Sequence, residues 1–123
     1  VKLIIMLNKR TITLLSLIIL LFTACSHAKF DRDNWNDGDG LTFAYRNKMV
    51  EDLLQNYKLK GLRYQQVIHL LHRPQQSNPT QMIYEIDEVN KPGQPHYVKQ
   101  LILAMKDSVV VDAKIYEHTD KKK

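Results

Sequence analysis

The chain has one cysteine, Cys25, among its 123 residues. A single thiol makes no internal disulfide, no redox pair and no cysteine-based zinc site, so stability has to come from packing. Glycine is sparse, and none of the four falls in a phosphate-cradling loop pattern. Beyond residue 24, serine occurs only at Ser26, Ser77 and Ser108, none of them in a nucleophile elbow. Long apolar runs are also missing. Residues 12–24 form an uncharged, largely apolar run, short of the roughly 20 residues that cross a bilayer. These absences argue against a P-loop nucleotide enzyme, a serine hydrolase and a spanning helix.

What is present begins with a leader. Lys9 and Arg10 precede the apolar run and small residues close it, the order of a secretory signal. Leu21-Phe22-Thr23-Ala24-Cys25 resembles a bacterial lipobox, in which small residues before the cysteine admit a peptidase and the cysteine then receives lipid. Phe22 stands where leucine is usual, and cleavage after Ser26-His27-Ala28 is the competing expectation. Met6 is a more natural start than Val1. The expected organisation is a signal peptide over 1–24, a lipid tether over 25–44, a domain over 45–118 and a basic tail over 119–123. Cys25 is the expected lipid attachment site, with two or three acyl chains, palmitate among them. Each buried methylene adds about 0.8 kcal/mol to anchoring.

The net charge of +5 shrinks to +2 once Lys2, Lys9 and Arg10 leave with the leader. Without Lys121, Lys122 and Lys123 the body is at −1. That balance leaves no electrostatic footprint for nucleic acid.

Asp31, Asp33, Asp37 and Asp39, with Gly38 and Gly40, mark the tether and invite a calcium-loop reading. Setting Gly38 at the sixth loop position puts Trp35 third and Ala44 twelfth, where oxygen ligands are required, so the reading fails. Phe30 and Trp35 are too large for a solvated tether and are expected to fold back onto the domain.

Tyr45, Met49, Val50, Leu53, Leu54 and Tyr57 recur at the helical period and predict a helix over 45–57, with Arg46, Lys48, Glu51, Asp52 and Gln55 on its polar face. Lys60-Gly61 breaks it. Tyr64, Val67, Ile68 and Leu71 predict a second helix over 64–71, stopped by Pro74, with loop from 75 to 80. The period then changes to two. Met82, Tyr84 and Ile86 alternate with Ile83, Glu85 and Asp87 in a first strand. Residues 89–96, with Pro92, Gly93 and Pro95, form a hairpin loop, and 97–105 give a second strand facing Leu101, Leu103 and Met105 inward. After a tight connection at 106–108, the third strand over 109–117 is expected to turn Val109, Val111, Ala113 and Ile115 inward and Val110, Asp112, Lys114 and Tyr116 outward. The fold class expected is α+β, two helices packed on one face of a three-stranded antiparallel sheet.

Gly61-Leu62-Arg63, then Gln66-Val67, Leu71 and Pro74, resembles the helix motif of the SmpA/OmlA (BamE-like) lipoproteins, Gly-Met-Thr, Gln-Val and Leu-Gly-x-Pro at the same spacing. The match is concentrated in one helix, within a span of about 46–117 that fits that family's plan. Trp35 followed by Arg46-x-x-Met49-Val50-x-Asp52-Leu53-Leu54 looks like a less characterised branch sharing that motif. The resemblance implies a lipid-anchored protein of the ααβββ order that docks on another envelope protein, at the periplasmic face of the outer membrane rather than the inner one. Arg63 replaces the capping Thr or Ser, and His72 replaces the glycine that takes the left-handed conformation at the helix end. The family's own partner-binding stretch, before its first helix, is not recognisable here.

Candidate chemistry is thin. His69 and His72 have ligand-like spacing but lack a cysteine or carboxylate to complete a site. Glu85, Asp87 and Asp112 read as a solvated strand face rather than a paired-carboxylate site. No enzyme activity, cofactor or metal is expected. The expected site is a partner-binding sheet face carrying Ile83, Val98, Ile102, Val110 and Tyr116, with Ala104 among them, too apolar for water. Cover by Phe30 and Trp35 is the competing reading of that face. A periplasmic inhibitor or ligand-holding module of the β-lactamase-inhibitor type, using the 89–96 loop, is the alternative function.

Overall fold

The computed structural model describes residues 27–40 and 42–121. The leader, Cys25 and the end of the basic tail lie outside the described residues. The elements are α1 (Arg32–Trp35), α2 (Arg46–Asn56), α3 (Tyr64–Leu71), β1 (Gln76–Asn78), β2 (Gln81–Val89), β3 (Tyr97–Lys106) and β4 (Val109–Thr119). The strands make one antiparallel sheet in the order β1-β2-β3-β4. The fold is thus α+β as the periodicity implies, with an extra strand and an extra short helix.

The extra strand comes from a side-chain device. Asn78 Oδ1 accepts hydrogen bonds from the backbone N–H groups of Thr80 and Gln81 at 2.9 and 3.0 Å, closing a tight turn. That turn folds residues 76–78 back along β2, pairing Gln76 with Ile83 and Asn78 with Gln81. A three-residue polar strand has no hydrophobic period, so pattern alone reads it as loop.

The apolar stripes of α2 and α3 and the inward residues of β2 and β3 form the core. Met49, Val50, Leu53, Val67, Leu71, Met82, Tyr84, Leu101 and Leu103 are buried together. Trp35 joins them at 0% exposure and Phe43 is buried nearby. The segment expected to be a tether is therefore part of the domain from residue 27 onward. His27 pairs with Glu51 at 2.7 Å, the Phe30 N–H donates to Asp52 Oδ2 at 2.7 Å, and Arg32 Nε donates to the His69 carbonyl. The Phe30 ring packs on Trp35 and Tyr57. Phe30 and Trp35 do fold back, but onto the helix side, so they do not cover the opposite face of the sheet.

Two bulges set which residues face the core. On β2 the register slips between Glu85 and Asp87, and on β4 Met105 pairs with Val110 while Ala104 pairs with Asp112. Val111 is the additional residue on β4, and the phase N-terminal to it is inverted. Val110 is consequently 1% exposed in the core and Val111 is 49% exposed, the reverse of simple alternation. Ala113 and Ile115 pack against the core as expected. The β3–β4 turn places Asp107 and Ser108 at φ 52° and 63°, the doubly positive geometry of a two-residue hairpin.

At the end of α3, His72 has φ 62° and ψ −163°, a region reserved almost wholly for glycine. The carbonyl of His72 accepts the Tyr84 hydroxyl at 2.8 Å, which helps hold the residue there. At the start of the helix Arg63 brings no acceptor, yet Gln66 Oε1 accepts the Arg63 N–H at 2.9 Å and the Ser108 carbonyl accepts the Tyr64 N–H at 2.9 Å. Gln66 thus supplies half of a capping box without the Ser or Thr that normally makes the other half.

Candidate functional site

The face of the sheet away from the helices is built in rows across the strands. Gln76, Ile83, Ile102 and Lys114 form one row, and Glu85, Gln100 and Tyr116 the next. Glu88, Val98 and His118 form a further row, with Gln81, Ala104 and Asp112 at the other end. The expected docking residues are therefore brought together, with one exception. Val110 is not on this face: the β4 bulge turns it into the core.

The remaining residues are not equally open. Ile83 is only 8% exposed although it lies outside the main core cluster, and Val98, Ile102 and Ala104 are half-buried. Tyr116, at 43% exposure, stands most open, with its ring stacked 6.4 Å from that of His118. A polar row divides the face, because Gln100 Nε2 donates to Glu85 Oε1 at 2.7 Å between the isoleucine pair and Val98. The surface is a mixed one, apolar at Ile83–Ile102 and Tyr116 and charged at Lys114, Asp112 and Glu88.

The three strand carboxylates do not converge. Glu85 bonds Gln100 on the outer face, Asp112 pairs with Lys60 at 3.6 Å, and the β2 bulge sends Asp87 to the helix side, where Asn47 Nδ2 donates to it at 3.5 Å. His69 is exposed, and the Nε2 of His72 is buried and, among the described residues, without a hydrogen-bond partner. Among the described residues, no group of three or more His, Cys, Asp or Glu is arranged to hold a metal. The loop over 90–96 is tied at its end: His96 Nε2 meets Glu88 Oε1 at 2.8 Å and its carbonyl accepts the Asp120 N–H at 2.9 Å. The Glu88 hydrogen bond raises the His96 pKa above its ordinary value.

Sequence periodicity missed the most unusual side chain. Arg46 falls on the predicted polar face of α2, yet it is 0% exposed. Its Nε donates to the Trp35 carbonyl at 2.7 Å, and its Nη1 donates to Gln75 Oε1 and the Glu85 carbonyl, both at 2.8 Å. The guanidinium lies 3.4 Å from the Phe43 ring centre, 4.9 Å from that of Trp35 and 5.7 Å from that of Tyr84, all within cation–π range. Burial lowers its pKa to about 10, which still leaves it charged at neutral pH. Gln75 Oε1 also accepts the Glu85 N–H at 2.9 Å, so Gln75 and Arg46 together finish the β2 edge beyond the short β1. This makes Arg46 a structural clamp between the 27–44 segment, α2 and the sheet. No period in the sequence places Arg46 inside; the folded chain does so by setting its Nε against the Trp35 carbonyl.

The cleft beside this clamp, between Phe43, Asn47, Lys48 and the stretch from Glu85 to Glu88, holds about 180 Å³. Small-molecule sites usually hold about 300–1,000 Å³. No protein-family model, curated protein or solved structure matches the chain.

Proposed function

We propose that the protein is a lipid-anchored component of the bacterial cell envelope, attached through Cys25, whose small domain is a non-catalytic docking module for another envelope protein. The outer membrane, at its periplasmic face, is the expected site. The resemblance of the 61–74 segment to the SmpA/OmlA (BamE-like) lipoproteins and the lipobox-like leader motivate this reading. The observation that carries it is the sheet face that, among the described residues, no helix covers, where Tyr116 stays open while the aromatic residues of the 27–44 segment pack on the opposite side.

Crosslinking in intact cells tests it, with Ile102→Glu and Tyr116→Glu as the variants. Glutamate is chosen at 102 because Lys114 lies directly opposite and offsets its charge. The expected outcome is that an envelope protein captured by the natural chain is lost from both variants while their urea melts stay close to that of the parent. Capture that survives both substitutions would rule out this face as the docking surface.

A further inference from the structure

The two edges of the sheet are finished differently. The β2 edge is closed by β1 and then by the side chains of Gln75 and Arg46. The β4 edge is closed only at its start: Gly61 N–H donates to the Val110 carbonyl and Val110 N–H to the Leu62 carbonyl, both at 2.8 Å. Among the described residues, no further backbone hydrogen bond reaches the outer edge over 111–119. That stretch contains no proline, and an unpaired strand edge is a template for another strand.

We propose that this edge binds a second copy of the chain, β4 against β4, antiparallel, about a two-fold axis at Ile115. The register follows from the closed segment. Residues 61–64 already occupy the edge at Val109 and Val110, so only 111–119 can pair, and the midpoint of that stretch is Ile115. In this register Asp112 opposes His118 and Lys114 opposes Tyr116 on the outer face, and each match occurs twice by symmetry. On the helix side Ala113 opposes Glu117 of the second copy. Ala113 borders a groove formed with Leu54, Tyr57, Lys58 and Lys60, so that glutamate enters a basic, partly apolar slot. No two like charges are directly opposed. This inference rests on the strand edge and stands apart from the reading of the sheet face.

Paired cysteine substitutions in the full chain, with Cys25 kept and the natural chain as baseline, test it in membranes under mild oxidation. Asp112 and His118 are exposed, so Asp112→Cys and His118→Cys leave the core intact. Directly opposed residues have Cβ atoms about 4.5–5.5 Å apart, close enough for a disulfide after slight adjustment. Two copies of the same substitution lie six residues apart along the strands, about 20 Å. The expected result is a disulfide-linked dimer when the two variants are produced together and none above baseline when either is produced alone. Equal dimer in all samples, or none in the mixture, overturns the proposal. Stronger linkage from an Asp112→Cys and Lys114→Cys mixture overturns the axis at Ile115. Linkage to a different protein in place of the dimer overturns the second copy as the occupant.

Discussion

The guanidinium of Arg46 lies 3.4 Å from the centre of the Phe43 ring, buried and, among the described residues, without a carboxylate in ion-pairing contact. Its charge is compensated by backbone carbonyls, an amide oxygen and aromatic faces. Such a site depends on the planar fork of arginine, which lysine does not reproduce. Arg46→Lys is expected to lower stability by about 2–4 kcal/mol, the loss of one or two charge-assisted hydrogen bonds in a buried setting. Trp35 is the one tryptophan of the chain and touches Arg46 directly, so its fluorescence in urea gives a local readout. A melt within experimental error of the parent would show that the clamp is not needed.

His72 holds a glycine-like backbone conformation with a side chain attached. His72→Gly is expected to raise stability by about 0.5–1 kcal/mol, relieved strain less the added freedom of the unfolded chain. His72→Ala keeps the strain and should bring no such gain. Urea midpoints of the two variants separate the cases, and a loss greater than about 1 kcal/mol for His72→Gly would mean that the residue lies within the helix.

The β4 bulge predicts opposite responses at adjacent valines. Val110→Ala removes core contacts and should cost about 1–3 kcal/mol, whereas Val111→Ala should stay within about 0.5 kcal/mol of the parent. Thermal melts that rank the two in the reverse order would place the bulge elsewhere.

His96 gives a pH dependence with a defined sign. Its pKa is raised, chiefly by the Glu88 hydrogen bond, so the folded state binds its proton more tightly than the unfolded state. The contribution is fully present below the ordinary histidine value of about 6.5 and is lost as pH rises through the higher folded value. An NMR titration of the His96 ring should show the raised midpoint, and His96→Gln should remove this part of the pH dependence. Exchange of the Asp120 amide, which donates to the His96 carbonyl, should quicken over the same pH range.

Elements with a periodic signal are legible without the fold. The stripes from Met49 to Leu53 and from Tyr64 to Leu71 need only the helical repeat to find their buried face, and α3 has the expected bounds. The inward set of Met82, Tyr84, Leu101 and Leu103 follows equally from the alternation of a strand. The positive φ at His72 was legible because Pro74 fixes where the helix must end.

Long-range packing supplies what no local period carries. A bulge depends on the partner strand, and it alone exchanged Val110 and Val111 and removed Val110 from the candidate face. Arg46 reads as solvated because charge normally costs too much to bury. Only the folded chain brings the Trp35, Gln75 and Glu85 acceptors and three aromatic rings around it, from segments separated by up to 39 positions in sequence. The same long-range closure drew Phe30, Trp35 and Phe43 out of an apparent tether and into the domain, on the side of the sheet opposite the candidate docking face.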